Sequence, residues 1–273
     1  MSRPFLRVLG SFELRIPLTD EASTTAPLGV DEHRLLALLA VSTTARTTRD
    51  LAAVLWPGRT ADAALGTLQG VCDALGQLVT EADGTLRLSD DVDVDLARAL
   101  ARLRAWRRDP FHVESTTPDE LVGLLGEDLL PGWTEDWAAQ ERERFRRVRL
   151  HALESLCQRL TAAGRFGPAI AAGLRVVEAD AMKESARRAL IEAHLAAGNV
   201  SEAVRLYDEF TASCSRLGLA PGTELTALFP PSPAWPVLHV RRPINFSGTV
   251  GRGFRTEPPA RRAQVGVGPA ARG

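Results

Sequence analysis

Lysine is almost missing from this chain: Lys183 is the only one, and arginine supplies the rest of the positive charge. That bias reflects coding composition rather than function. Cysteine is scarce too. Cys72, Cys157 and Cys214 are too far apart for a C-x-x-C pair, and each sits among apolar residues at helical spacing. They read as buried free thiols in a reducing cytoplasm. No run approaches the ~18 apolar residues of a membrane span. The opening MSRPFLRVLG lacks an apolar core with a small-residue cleavage site, so neither a membrane helix nor a secretion signal is expected.

Enzyme signatures are absent as well. No G-x-S-x-G, Walker loop or G-x-G-x-x-G precedes a helix, and VGRG near Val250 lies in a segment without apolar periodicity. His33, His112, His151, His194 and His239 are scattered without ligand spacing; His151 and His194 read as ordinary structural histidines. DDVDVD, Asp90 to Asp95, lacks the glycine and glutamate of a calcium loop and reads as a strand followed by a helix cap. No catalytic residue, metal or cofactor is expected; the chain is read as a non-enzyme.

The 273 residues are 45% apolar and 25% charged, enough for one or two globular domains with proper cores. Aromatics are only 5%, and alanine, leucine and arginine dominate, a helix-favouring mixture. The net charge of −1 conceals three segments: −6 over residues 1–95, −1 over 96–230 and +6 over 231–273.

FLRVLGSFELRI alternates, with Leu6, Val8, Phe12, Leu14 and Ile16 on one face and Gly10 as a bend, the pattern of a half-buried strand pair. Thr19 to Gly29 reads as a polar loop and Asp31 to Val41 as a helix. A second short helix starts at a Thr47 or Thr48 cap, carries Leu51, Val54 and Leu55, and ends at Pro57-Gly58. A third is expected from about Asp62 to Val79, with Leu65, Leu68, Val71, Leu75 and Leu78 as its ridge. Asp83-Gly84 is a tight-turn pair leading into the strand TLRL. Sheet, three helices and hairpin, in that order, make a winged helix, whose third helix normally enters the major groove.

From Leu96 the pattern is helical: LARALARLRAW, a loop around Pro110 to Pro118, ELVGLLGEDLLPGW, and a long helix from about Thr134 to Ala163. An internal repeat follows. Ala162, Ala163, Gly164 and Ala169 match Ala196, Ala197, Gly198 and Ala203 at an offset of 34 residues, the period of tetratricopeptide helix pairs. The glycine ends the first helix of each pair, and the small alanine lets the second approach closely. ERERFRRVRL, Glu141 to Leu150, reads as a solvated face of i,i+4 pairs or as a partner surface. RLRAWRR, Arg102 to Arg108, reads as another solvated face or as a neighbour of the DNA backbone. Past Phe229, four prolines in nine residues open a basic tail read as disordered.

The fold class expected is mainly α: an α+β winged helix over residues 1–95, a tetratricopeptide-like helical domain over 96–230 and a disordered basic tail over 231–273. LRVLGSFELR, DLAAVLWPG, DVDVDLARAL, EDLLPGWTEDWAAQERERFRRVRLHALESL, LTAAGRFGPAI and ESARRALIEAHLAAGNVSEAVRLYDEF together resemble the SARP family of bacterial transcriptional activators. That family joins an OmpR-like winged helix to a bacterial transcriptional activation domain. The resemblance covers roughly Leu6 to Leu228, and Asp128 to Leu156 is its most specific part. It implies a cytoplasmic activator of secondary-metabolism genes that binds promoter DNA, usually as two copies, and recruits RNA polymerase, with no membrane association.

The family's third helix carries arginines in a pattern like L-Q-x-x-V-S-R-L-R-R. Here the three arginine positions hold Ala74, Gly76 and Gln77, and no lysine or arginine occurs between Leu65 and Leu78. Each lost phosphate contact removes about one unit of salt slope, and an arginine–guanine pair is worth ~1–3 kcal/mol. Three explanations stand. The helix reads DNA weakly through Thr67, Gln69 and Gln77, leaning on a partner copy or another protein. Or DNA binding has been abandoned and the segment is an interaction module. Or the basic tail supplies the phosphate contacts. The candidate nucleic-acid-binding set is Thr48 and Arg49; Thr67, Gln69, Gly70, Asp73, Ala74 and Gln77 on the third helix; and Arg87 in the hairpin.

Overall fold

The computed structural model describes residues 3–17, 23–25, 27–42, 45–108 and 117–229. The tail from Pro231 and residues 110–116 of the expected proline loop lie outside them. Residues up to Pro230 form a single compact unit.

The alternating N-terminal residues form β1 (Phe5–Arg7) and β2 (Glu13–Pro17), paired antiparallel with Leu6 opposite Leu14. Between them Gly10 turns at a φ of +74°, a value that L side chains rarely adopt. The expected loop from Thr19 contains a strand, β3 (Ser23–Thr25), which pairs with β2. Its Ser-Thr-Thr has no apolar alternation, so period counting passes over it. Next come α1 (Val30–Val41), β4 (Arg46–Thr47), α2 (Thr48–Leu55) and α3 (Ala61–Leu75). Thr47 caps α2, its hydroxyl accepting the Asp50 N–H at 3.1 Å.

Helix α3 ends earlier than its apolar spacing predicts. Gly76 leaves the helix at a φ of +51°, and Gly76–Leu78 form a single 3-10 turn. The hairpin β5 (Val79–Ala82) and β6 (Thr85–Leu88) turns through Asp83 and Gly84, both at positive φ. Two consecutive left-handed residues give the twist that a two-residue hairpin requires. Strand β6 also pairs with β4, and β7 (Asp93–Val94) runs parallel to β1, completing sheets ordered β3-β2-β1-β7 and β4-β6-β5.

The helical part holds α4 (Asp95–Arg108), α5 (Pro118–Gly126), α6 (Asp136–Ala162), α7 (Phe166–Ala179), α8 (Glu184–Ala196), α9 (Val200–Arg216) and the short α10 (Thr223–Thr226). No helix among the described residues is long and apolar enough to cross a membrane. One apolar core runs continuously from Leu6 and Leu35 to Val176 and Ala193, and a second cluster around Phe210 joins α8 to α9. Each fully buried leucine contributes ~1.5–3 kcal/mol.

The thirty-four-residue repeat appears as two identically closed helix hairpins. Gly164, at φ +72°, donates to Thr161 O while Arg165 N–H reaches Leu160 O; Gly198, at φ +80°, donates to Leu195 O while Asn199 N–H reaches His194 O. Both are paired 6→1 and 5→2 helix closures built on a left-handed glycine. Ala169 and Ala203 are fully buried, as the close approach of the second helix requires.

The segment Glu141 to Leu150, expected as a solvated charged face or a partner surface, is solvated only in part. Along α6, Arg142 donates to the carbonyls of Leu129, Leu130 and Trp133, Arg146 to Ala179 O, and the buried Arg149 to Gly126 O and the Asp128 carboxylate. Only part of the run forms surface pairs, as Glu143 does with Arg147 at 3.7 Å. The inward arginines hold the Asp128–Trp133 stretch in place, including Leu130 at a φ of +45°. A buried leucine in that region is strained, so something must over-determine it. Leu130 N–H also donates to Val8 O, and Gly10 N–H to Asp128 O, extending the sheet edge toward α6. From the start of α4, Asp95 accepts the N–H groups of Val8, Leu9 and Leu96. Burial pushes its carboxyl up, against the downward pull of those three donors and of Arg7.

Candidate nucleic-acid interface

A groove-reading helix needs one face anchored and the other free. Leu68, Val71 and Leu75 of α3 are buried against α1 and α2, while Asp62, Ala63, Gly66, Gln69, Gly70, Asp73 and Ala74 are exposed on the other side. A Cβ added at Gly66 or Gly70 would meet nothing within 4 Å. The outward face of α3 is exposed from Asp62 to Ala74 and carries two acids, Asp62 and Asp73.

The fold places most of the expected residues around this helix. Thr48 begins α2, and its N–H donates to Gly84 O at 3.0 Å, stapling that helix start to the tip of the hairpin. Arg49 is exposed in the same turn. Arg87 is exposed on β6 and paired with Asp90 at 2.7 Å. On α3 the Gln69 amide donates to the Asp73 carboxylate at 3.0 Å, so two candidate groups satisfy each other. Thr67 donates to Ala63 O, and Gly70 and Ala74 stay bare.

Gln77 is not on α3. It sits in the 3-10 turn that starts at Gly76, so of the three positions aligned with the family's arginines only Ala74 lies on α3.

One cation was left out of the expected set. Arg59, in the turn before α3, donates from Nη1 to Thr67 Oγ1 at 2.6 Å. It brings the nearest positive charge onto the first half of the helix. Its place just before the N-terminus of α3 is the sequence signal for it.

Burial, with Glu81 and Asp73 nearby, pushes the half-buried Cys72 thiol up to about 11, so it carries no thiolate at neutral pH. Burial pushes Cys157 up to about 12. Among the described residues no cluster of three histidine, cysteine or acidic side chains could hold a metal ion.

Residues 115–230 match the family described as the bacterial transcriptional activator domain. Among solved structures, the chain is similar to Mycobacterium tuberculosis EmbR, solved in complex with a low affinity phosphopeptide. The TM-score is 0.61 at 18% identity, over 84% of this chain and 64% of that one. The chain therefore spans a little under two thirds of EmbR's length. No curated protein matches the sequence. The EmbR likeness is one of fold, and that fold is the expected winged helix followed by helical repeats. The activator-domain match covers residues 115–230, less than half of the chain, and the residues before it fold as the expected winged helix.

Proposed function

We propose that the chain binds promoter DNA through the outward face of α3 and activates transcription by recruiting RNA polymerase. In this reading residues 1–95 are the DNA-binding part and 96–230 the activation part, the protein is cytoplasmic, and its targets are genes of secondary metabolism. The observation that carries the reading is the orientation of α3: its apolar ridge is buried and its other face is left open beside the hairpin and the start of α2.

That face supplies little charge, so affinity is low for a single copy. Arg49, Arg59 and Arg87 flank the helix and provide backbone contacts, while Thr67 and Gln69 reach base edges after the Gln69–Asp73 bond opens. Two copies on adjacent half-sites double the contacts and restore specificity.

A second reading, favoured by Asp62 and Asp73 on the open face, is a protein-interaction module descended from such regulators. A gel-shift of the purified chain with its own upstream promoter, at low and moderate salt, separates the two. Specific retardation that survives moderate salt supports the promoter-binding reading. Its absence from a well-folded protein supports the interaction module.

A further inference from the structure

A second surface, remote in chemistry from the α3 face, lies in the groove between α4 and α6. It encloses about 500 Å³, within the range of binding clefts. Its floor is apolar: Leu103 and Trp106 of α4 are buried at 4% and 5% exposure, and Val148 of α6 is 43% exposed. Its rim carries three arginines, Arg107, Arg147 and Arg159. Arg147, His151, Ser155 and Arg159 follow one another along α6 at four-residue steps, facing Arg107 from α4. No carboxylate lines the groove among the described residues, although acids and bases are nearly equal in number over the whole chain.

We infer that this groove docks an acidic segment of a partner protein. The four-residue steps place polar groups about 6 Å apart over about 18 Å of helix. Carboxylates at i and i+4 of a partner helix have the same spacing, as nearly do alternate residues of an extended strand at about 6.6 Å. Arg159 lies over the Trp106 ring at 5.0 Å from its centroid, which holds one cation across the apolar floor. Arg147 pairs with Glu143 of its own helix at 3.7 Å, but both side chains are more than half exposed, and such a pair exchanges readily for a better carboxylate. DNA phosphates are a poorer match. They lie on the convex outside of a duplex and gain nothing from an indole-and-leucine floor, whereas a partner's apolar side chain gains contact with Val148 and Trp106.

The test uses the full chain and a fluorescein-labelled helical peptide with glutamate at every fourth position and one leucine. Its glutamine counterpart is the neutral control. Anisotropy at low salt should show the glutamate peptide binding at least tenfold more tightly than the glutamine one. Arg107→Glu combined with Arg147→Glu should abolish that preference with an unchanged circular-dichroism spectrum, and so should the milder Arg159→Gln, should the double variant misfold. Arg216→Glu, on the exposed end of α9, should leave binding intact. Equal binding of the two peptides, no binding of either, or insensitivity to the groove variants would overturn the inference. Displacement of the peptide by a random-sequence DNA duplex would overturn it too, marking a phosphate site instead. None of these outcomes depends on whether α3 reads a promoter.

Discussion

Glycine does opposite work in the two halves of this protein. In the helical repeat, a Cβ on Gly173 would sit 3.0 Å from Leu190 Cδ1 and 3.1 Å from Cys157 Sγ, so any side chain there makes its neighbours give way where α7 crosses α6 and α8. In α3, Gly66 and Gly70 face open space. There each costs about 1 kcal/mol of helix propensity relative to alanine and gains no contact in the isolated chain. A glycine held by contacts explains itself within the fold. Glycines with open space around them have no explanation in the packing of the chain itself.

The contrast breaks most sharply at Gly173. Gly173→Val should destabilise the protein by about 2–3 kcal/mol through overpacking, read as a fall in the denaturation midpoint; a neutral result would mean α7 can slide away from α6 and α8. Arg142→Ala should cost about 2–4 kcal/mol, because it leaves three carbonyls without their charged donor. The same chemical denaturation measures it. In the other direction, Gly66→Ala and Gly70→Ala should each raise stability by up to about 1 kcal/mol. They should weaken promoter binding if the backbone is what the DNA approaches; a stability gain with no loss of binding would remove the functional explanation for these glycines. The smallest effect is expected at Glu154. Burial pushes its carboxyl up, but the Lys183 ammonium at 2.7 Å and the Ser185 hydroxyl more than offset that and hold it below the usual carboxylate range. Its contribution, about 1 kcal/mol or less, is therefore present above the ordinary carboxylate pKa and lost as pH falls through the lowered one. Lys183→Met should remove that acid-side dependence from the stability profile.

How far the sequence carried this picture depended on whether a feature was periodic. The buried ridge of α3, the cap at Thr47, the Asp83-Gly84 turn and the paired closures at Gly164 and Gly198 all follow from local spacing and residue chemistry. The early end of α3 did not, because Leu78 continues the apolar spacing past a glycine that stops the helix. Strand β3 was hidden because an edge strand of serine and threonine carries no alternation. The inward turn of Arg142 and Arg149 is not legible in the sequence, because an i,i+4 charge pattern cannot reveal carbonyls on a distant loop. At the candidate site, the exposure of Gln69, Gly70 and Ala74 was legible from helical period. The bond from Arg59 to Thr67 needed the geometry of the turn.

The central claim is that the open face of α3 addresses the major groove. Adding Gly70→Arg and Ala74→Arg, both at exposed positions within the helix, and measuring promoter affinity across salt concentration tests it most directly. The account predicts tighter binding and a salt slope steeper by up to about two units, one for each new phosphate contact. An affinity and slope identical to those of the unmodified chain would contradict it.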